Sequence, residues 1–161
     1  MATGKSSVGK RLAVLMDYDF LDMDAAIEEE TGMPIPEIFA TRGEPAFRRL
    51  EAEMVEKISS RNGCVIATGG GTIANPQNLA ALKRSGVVIT LTADPQTILS
   101  RVGSGEDRPM LAGGDKTERI ASLMRERAQA YAQADLTVDT TSLTIDEVSR
   151  QILELIGKVK Q

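Results

Sequence analysis

An α/β fold built on a parallel sheet is predicted by three features of the sequence. Short apolar segments with the character of strands alternate with amphipathic helical segments along the whole chain. One segment, "VVITLT", is continuously apolar, which is typical of a strand buried on both faces of a parallel sheet. The chain has 161 residues, the size of one ordinary domain, and contains no internal repeat or linker. We therefore expect a single α/β domain over residues 1–161.

The first half of the chain predicts three helices and two strands. Apolar residues at helical spacing predict a helix from residue 5 to about residue 16. "YDFLDMD" predicts a strand that ends in acidic residues, and "AAIEEETG" predicts a helix that stops at Gly32. Pro34 and Pro36 predict a turn, followed by a longer helix that ends near residue 62, and "CVIATGGGT" predicts a strand that runs into three glycines. The apolar stripe of that longer helix comprises Phe47, Leu50, Met54 and Ile58.

The second half of the chain continues the alternation. Asn75 and Pro76 have the pattern of an N-cap and a first helical turn, and the helix they open is closed by Gly86. "VVITLT" follows, after which Asp94 and Pro95 open a short helix, and "GSGEDRPMLAGGD" lacks periodicity and predicts a mobile loop. Two capping-box patterns open the last two helices, with "LTVDT" predicted as a strand between them. The patterns are Asp115 with Glu118 and Thr144 with Glu147.

The composition excludes several classes of chemistry. With 42% hydrophobic and 26% charged residues, the chain has the composition of a soluble globular protein. The absence of histidine excludes histidine-based catalysis and histidine metal ligands. A formal net charge of -4 argues against general affinity for nucleic acid. The single cysteine, Cys64, suits a reducing compartment, and no apolar run is long enough to span a membrane, so we expect a cytoplasmic protein.

The opening stretch "ATGKSS" matches the second half of a phosphate-binding loop. Such a loop reads Gly, four residues, then Gly-Lys-Ser/Thr, because glycine lets the backbone amides surround the phosphates while lysine and the hydroxyl meet phosphate and magnesium. Gly4, Lys5 and Ser6 supply the end of this pattern, and its first glycine would precede Met1. Taken alone, the match is equally typical of a helix N-terminus with a polar surface.

Two acidic residues end the strand that "FLDMD" predicts. Asp22 and Asp24 are spaced by two, so both side chains can project to the same side as the chain leaves the sheet. In open α/β sheets the ligand crevice lies beyond the carboxyl ends of the strands. One acid could help to hold magnesium through water while the other accepts a substrate hydroxyl. The alternative is that Asp24 only caps the next helix.

A run of three glycines and a set of arginines complete the candidate site. The glycines at 69–71 follow a predicted strand, and the entropy cost of such a run indicates close approach of a ligand, with a tight turn as the alternative. Arginine recognises carboxylate or phosphate through two parallel hydrogen bonds. Each arginine alone would be typical of a solvated helix face, and Arg48 has Glu44 and Glu51 at ion-pair spacing. The arginines are Arg48, Arg108 and Arg127.

In this order and at these separations, the chain resembles shikimate kinase through "GKSSVGK", "FLDMD", "GEPAFRRLE", "ATGGG", "DRPML" and "RERAQAY". The resemblance runs over nearly the whole chain. "ATGGG" after a strand, together with the F-R-x-x-E and R-P-x-L elements, separates this family from other small P-loop kinases. The resemblance implies a three-layer P-loop kinase fold with a shikimate-binding segment at about 24–61 and a mobile lid at about 103–115.

The resemblance also implies a reaction. The family transfers the γ-phosphoryl group of ATP to the 3-hydroxyl of shikimate, a step on the route to chorismate and the aromatic amino acids, with Mg²⁺ as the cofactor. We therefore expect an enzyme, a phosphotransferase that binds ATP and shikimate as a monomer and has neither a nucleic-acid nor a membrane partner.

By position, the resemblance assigns most of the ATP site to the start of the chain. Lys5 should bridge the β- and γ-phosphates, Ser6 should ligate Mg²⁺ and Asp22 should support that ion through water. Arg108, in the lid, should reach the transferring phosphate. Arg101 should stack on adenine, with the segment after Asp139 on the other side. The residues expected to bind ATP are Thr3, Gly4, Lys5, Ser6, Ser7, Arg101 and Arg108.

The shikimate site follows from the same resemblance. Asp24 should hydrogen-bond the reacting hydroxyl and act as general base, and the catalytic residues should be Asp24, Lys5 and Arg108. Arg48 and Arg127 should clamp the carboxylate, with Glu51 orienting Arg48. Tyr131 lies on an apolar stripe and is expected in the core. The pocket should be shaped by Gly69, Gly70, Gly71, Phe39 and Phe47, with Gly70 contributing a backbone contact.

Two other interpretations remain open. A related sugar-acid kinase of the gluconate type would share the phosphate loop and lid, although "ATGGG" and the paired arginines argue against it. A non-catalytic domain derived from this fold is favoured only by the partial loop. The family has a five-stranded sheet whose central first strand precedes Gly4. We therefore expect a complete kinase to extend upstream of Met1, and the strands beside the gap in this chain to be unpaired on their facing edges.

Overall fold

Seven α-helices and four parallel strands in a computed structural model, which describes residues 3–102 and 115–159, confirm the α/β prediction. No helix in these ranges is both long and apolar enough to cross a membrane. In chain order the elements are α1 (Lys5–Met16), β1 (Asp19–Asp22), α2 (Met23–Thr31), α3 (Ile35–Ile58), β2 (Cys64–Ala67), a 3-10 turn (Thr72–Ala74), α4 (Pro76–Ser85), β3 (Ile89–Thr92), α5 (Pro95–Val102), α6 (Lys116–Tyr131), β4 (Leu136–Asp139) and α7 (Ile145–Val159).

The four strands form two parallel pairs. β1 pairs with β2 so that Asp22 lies opposite Ala67, and β3 pairs with β4 so that Thr92 lies opposite Asp139. In the described part of the chain, no strand lies between β2 and β3. A cavity of about 450 Å³ lies between them instead, lined by both strands and by apolar side chains of the covering helices.

The predicted helix starts are confirmed by their capping bonds. Asn75 and Asp115 each accept a hydrogen bond from the backbone amide two residues later, at 2.9 and 2.8 Å. Thr144 and Glu147 form a reciprocal capping box, in which Thr144 N donates to Glu147 Oε2 at 2.8 Å and Glu147 N donates to Thr144 Oγ1 at 3.3 Å. Local side-chain chemistry therefore sets where α4, α6 and α7 begin.

Helix α3 begins earlier than the sequence predicts. Pro34 and Pro36 were expected in a turn, but Pro34 is the N-cap of α3 and Pro36 lies in its first turn, where an amide has no partner within the helix. Gly43 has φ 76 and ψ 168 and interrupts the helical geometry, so α3 consists of two helical parts joined at a kink. The helix ends at Ile58, a few residues before the predicted end.

Among the described residues, three apolar clusters hold the elements together. The first joins α2, α3 and α4, the second joins α1 and α7 to β3 and β4, and the third joins α5 to α6. Their most buried members include Met23, Ile27, Ile38 and Val55 in the first cluster, Val8, Val138, Val148 and Ile152 in the second, and Ile98, Ile120 and Leu123 in the third.

Gly9 allows α1 to pack closely against β1. It is buried in the middle of α1, and a Cβ atom at this position would lie 2.7 Å from Phe20 Cε2. A contact this short cannot be accommodated without moving the half-buried Phe20 ring or the backbone of the helix. Glycine is therefore required at position 9 by the distance between helix and sheet.

We expect Gly9→Ala to lower the free energy of unfolding by about 1–3 kcal/mol, because the added methyl group overpacks the contact with Phe20. Gly157→Ala in α7 is the matched control. Nothing lies within 4 Å of a Cβ atom there, so the better helix propensity of alanine should leave stability unchanged or raise it by up to ~1 kcal/mol. Denaturant unfolding measures both variants, and a Gly9→Ala variant as stable as the parent would contradict the proposed packing.

Candidate active site

A cavity of about 1010 Å³ brings together residues from both halves of the chain. The carboxyl ends of β1, β2 and β4 open into it, because Asp22, Thr68 and Thr140 all line it. Arg108 lies outside the described residues. The predicted site residues that line the cavity are Thr3, Gly4, Lys5, Ser6, Ser7, Asp22, Asp24, Phe39, Phe47, Arg48, Glu51, Gly69, Gly70, Gly71, Arg101 and Arg127.

The first turn of α1 forms one wall of the cavity. Gly4, which precedes the helix, has φ 86 and ψ 19, a left-handed conformation that favours glycine. No side chain of the described residues caps the helix start, and Val8 N donates to Gly4 O at 2.8 Å to close the first turn. Helix N-termini carry a positive partial charge and present amides, which suits phosphate binding. Lys5 adds a cationic side chain to the same wall.

Ser6 and Asp22 form a pair at the edge of this wall. Ser6 Oγ donates to Asp22 Oδ2 at 2.6 Å. Asp22 Oδ1 lies 3.2 Å from the backbone amide of Asp24, so Asp22 both ends β1 and caps α2. The alternative in which Asp24 caps this helix is wrong. The tertiary fold thus brings a hydroxyl and a carboxylate together from positions that are sixteen residues apart.

The Ser6 and Asp22 pair fits a magnesium ion that is also bound by phosphates. Mg²⁺ prefers oxygen ligands and commonly takes one or two from the protein, with phosphates and water completing the shell. Within residues 3–102 and 115–159, no group of three or more acidic or thiol side chains could hold a metal ion unaided. The donor set therefore suits an ion that arrives with a nucleotide.

Asp24 lies in the first turn of α2 with one carboxylate oxygen buried. Oδ1 is buried and accepts no hydrogen bond from the described residues. Burial, reinforced by the negative charges of Asp22 and Glu51, raises the pKa of Asp24 to about 6, while the charge of Lys5 opposes the rise. At neutral pH the carboxylate is therefore ionised yet more basic than an ordinary aspartate, which suits a general base.

Arg48 is held on α3 by two glutamates. Its Nη1 donates to Glu51 Oε2 at 2.5 Å, and its Nε and Nη2 donate to Glu44 Oε1 at 3.1 and 2.9 Å. The ion pairs expected from the spacing are confirmed. Burial opposes the charge on Arg48, but the hydrogen bonds and charges of Glu51 and Glu44 outweigh it and raise the pKa of the guanidinium. Arg48 therefore remains a fixed positive charge at the cavity wall.

Gly69 and Gly71 allow side chains of the site to approach the backbone. A Cβ atom on Gly71 would lie 2.6 Å from Arg48 Nη1, and one on Gly69 would lie 2.8 Å from Glu51 Oε1 and 3.0 Å from Asp24 Oδ1. Neither glycine has a positive φ. In the structure, the need for glycine thus arises from the protein's own charged side chains, which occupy the space that a ligand was expected to require.

Aromatic rings form the far wall of the cavity. The ring centroids of Phe39 and Phe47 lie 4.9 Å apart at an interplanar angle of 42°. Arg48 lies over the Phe47 ring with its Cζ 5.4 Å from the centroid, a cation–π contact. Although the kink at Gly43 separates the two phenylalanines along α3, their rings pack against each other.

Helix α6 contributes Arg127 to the cavity wall. Tyr131 connects this helix to the glycine loop, which comprises residues 69–71. The Tyr131 hydroxyl donates to Gly70 O at 2.6 Å, while its ring packs against the apolar cluster of α2, α3 and α4. The expectation that Tyr131 packs in the core is correct but omits this hydrogen bond. Arg127 and Tyr131 are four residues apart, so the bond holds the same face of the helix that carries Arg127.

Arg101 is anchored by Thr140 at the other end of the cavity. Arg101 Nη1 donates to Thr140 Oγ1 at 3.0 Å and Nη2 donates to Thr140 O at 2.9 Å. The Thr140 hydroxyl in turn donates to Thr92 O at 3.0 Å, with Thr3 O 3.3 Å away. Thr140 is buried directly after β4, in the segment that was predicted to lie on the other side of adenine from Arg101.

Sequence reasoning missed three hydroxyl groups that hold the site: those of Thr72, Tyr131 and Thr140. The hydroxyls of Tyr131 and Thr140 bond to groups at least 39 residues away, and the hydroxyl of Thr72 bonds to a group 21 residues away. Hydroxyl residues are common in loops, so nothing local distinguishes these from solvent-facing ones. Their partners become evident only when the chain is folded.

Comparison with known proteins identifies the family. The sequence model described as "Shikimate kinase" matches residues 1–157. The chain is 42% identical over 161 residues to a shikimate kinase from Thermoanaerobacter pseudethanolicus, covering 100% of this chain and 94% of that protein. It is 45% identical over 152 residues to one from Geobacter metallireducens, covering 94% of this chain and 85% of that protein.

Solved structures agree with the sequence relatives. A shikimate kinase from Acinetobacter baumannii in complex with shikimate superposes with a TM-score of 0.96 at 35% identity, covering 99% of this chain and 90% of that one. A shikimate kinase from Aquifex aeolicus gives a TM-score of 0.85 at 33% identity, covering 99% and 94%. The match over nearly the full length of the chain, together with the P-loop kinase fold, shows that this chain belongs to the shikimate kinase family.

Proposed function

We propose that this chain transfers the γ-phosphoryl group of ATP to the 3-hydroxyl of shikimate. Membership of a kinase family supports the reaction type. The proposal rests on one observation: the N-terminus of α1, which suits phosphate binding, lines the same cavity as Asp24 and Arg48. The helix N-terminus would bind phosphate, Asp24 would accept a proton from a hydroxyl and Arg48 would pair with a carboxylate. Together these groups match ATP and shikimate.

Shikimate is a small polyol acid, and the proposed pocket fits this chemistry. Arg48 and Arg127 would bind its carboxylate, because both line the cavity and arginine recognises carboxylates through paired hydrogen bonds. Phe39 and Phe47 would pack against the ring carbons, and Gly70 would contribute a backbone contact. The proposed binding segment, about residues 24–61, includes the whole of α3, which ends at Ile58.

Phosphoryl transfer depends mainly on positioning and charge stabilisation. Lys5 and the amides of α1 would hold the β- and γ-phosphates, and Ser6 with Asp22 would hold Mg²⁺, which when bound neutralises phosphate charge. Asp24 would accept the proton of the attacking hydroxyl. Arg108 would act on the transferring phosphate from the lid at about 103–115, and Arg101 would pack on adenine. A cytoplasmic location and a monomeric state remain predictions.

We expect this chain to form ADP from MgATP only when shikimate is added. The measurement is a coupled ADP assay with shikimate, with gluconate as the control acid, and phosphorylation at the 3-hydroxyl is read by NMR of the product. Turnover with gluconate in place of shikimate, or ADP formation that ignores both acids, would contradict the proposal.

Arg48→Lys is the matched variant, because it keeps the charge but removes the planar pair of donors. It should raise the KM for shikimate far more than the KM for MgATP.

Protonation of Asp24 should make the activity fall at acidic pH. Because its pKa is raised to about 6, kcat/KM for shikimate should fall about tenfold per pH unit below that value, as the base becomes protonated. The carboxyl carbon of Asp24, assigned by comparison with Asp24→Asn, should show the same midpoint by NMR titration in the free protein. A carboxyl shift that titrates near 4 would contradict the assignment of the base.

Asp24→Asn should abolish turnover and yet stabilise the fold at neutral pH. The native pKa of Asp24 lies above its unfolded value, so the native state binds more protons and stability falls as pH rises from about 4 to about 6. Removing the charge should recover up to about 3 kcal/mol at pH 7.5, as an upper bound from a shift of about two pH units. Thermal unfolding at pH 7.5 and pH 5 measures the difference, which should shrink by about half at pH 5. A stability difference between Asp24→Asn and the parent that is larger at pH 5 than at pH 7.5 would contradict the upward shift of the Asp24 pKa.

A further inference from the structure

The most buried charge of the site is the carboxylate of Glu51. Its side chain is 1% exposed, and it lies behind Arg48 at the cavity wall. Its two oxygens have different partners: Oε2 accepts from Arg48 Nη1 at 2.5 Å, and Oε1 accepts from Thr72 Oγ1 at 2.8 Å. A carboxylate with one bonded oxygen can turn about its terminal torsion, since such torsions are broad. The bond from Thr72 restricts this rotation.

Thr72 is held rigidly in its own turn. It is fully buried at the start of the 3-10 turn that follows the glycine loop. Its backbone N donates to Gly69 O at 3.3 Å, and its carbonyl accepts from Asn78 Nδ2 at 3.1 Å. Asn78 lies on α4 and is also buried. The hydroxyl that meets Glu51 is therefore fixed by bonds to two other parts of the chain.

We propose that Thr72 is a positioning residue for substrate binding: its hydroxyl orients Glu51, and Glu51 in turn holds Arg48 in the place where it meets the substrate carboxylate. This inference rests on the proposed function. It extends the site from the cavity wall to a buried chain of contacts that runs from α4 through Asn78, Thr72 and Glu51 to Arg48.

The packing around Gly69 supports this chain of contacts. A Cβ atom on Gly69 would lie 2.8 Å from Glu51 Oε1 and 3.2 Å from Thr72 Oγ1, so both atoms lie against the same stretch of backbone. Loss of the Thr72 donor would therefore leave Glu51 Oε1 without its hydrogen bond in a buried position.

The test compares Thr72→Val with Thr72→Ser. Valine has nearly the same shape as threonine but lacks the hydroxyl, whereas serine keeps the hydroxyl and loses the methyl group. Thr72→Val should raise the KM for shikimate about tenfold or more, since a hydrogen bond to a buried charge is lost. Its kcat and its KM for MgATP should change by less than about threefold. Thr72→Ser should restore most of the shikimate affinity.

Ser149→Ala is the matched control, because it deletes another fully buried hydroxyl, which donates to Ile145 O within α7, and Ser149 does not itself line the cavity. It should leave both KM values unchanged. A Thr72→Ser variant impaired as strongly as Thr72→Val would overturn the proposal, since the methyl packing would then be the cause. Equal rises in both KM values for Thr72→Val would also overturn it, because a general loss of structure acts in that way.

A second readout needs no activity and separates this inference from the proposed function. In the ligand-free protein, the guanidinium NMR signals of Arg48, assigned with Arg48→Lys, should shift or broaden in Thr72→Val and stay as in the parent in Thr72→Ser and Ser149→Ala. Unchanged Arg48 signals in Thr72→Val would overturn the positioning role even if the chain phosphorylates shikimate. Altered signals in a chain that ignores shikimate would support that role and refute the proposed function.

Discussion

The buried carboxylate of Glu51 is the constraint on which the geometry of the site depends. A charge with 1% exposure must be paired and hydrogen-bonded, because its desolvation is otherwise too costly. Arg48 and Thr72 meet this requirement from two different elements, α3 and the 3-10 turn. Glycine at 69 and 71 allows this approach, because a Cβ atom at either position would displace Glu51 or Arg48. One charge thus accounts for several features of the cavity.

The same charge influences Asp24, which supports a link between stability and catalysis. Burial and the neighbouring acids Asp22 and Glu51 make the ionised form of Asp24 unfavourable, so its pKa is raised. The cost falls on the folded state at neutral pH, while the carboxylate becomes more basic, as its proposed role as general base requires. Strain of this electrostatic kind is common where function competes with stability.

Much of the fold follows from local sequence signals, and the exceptions have identifiable causes. Asn75, Asp115 and the Thr144–Glu147 box mark helix starts because their capping bonds involve only neighbouring residues. The start of α3 was predicted wrongly because Pro34 and Pro36 resemble turn residues, and the same ring geometry also suits the first turn of a helix. The role of Asp22 as the cap of α2 was missed because the helix begins at Met23, before the predicted segment "AAIEEETG".

By itself, the sequence determined the α/β class, the helices and strands, and, through resemblance, the family and the residues of the candidate site. The class and the elements follow from periodicity and capping patterns, which are local properties of the chain, whereas the family and the site residues follow from the resemblance. The tertiary structure alone decided that Asp24 is buried beside two other acids, that Gly69 and Gly71 make room for protein side chains, and that Thr72 reaches Glu51. Such contacts join residues distant in sequence, and their energies depend on desolvation and distance, which exist only in the folded chain.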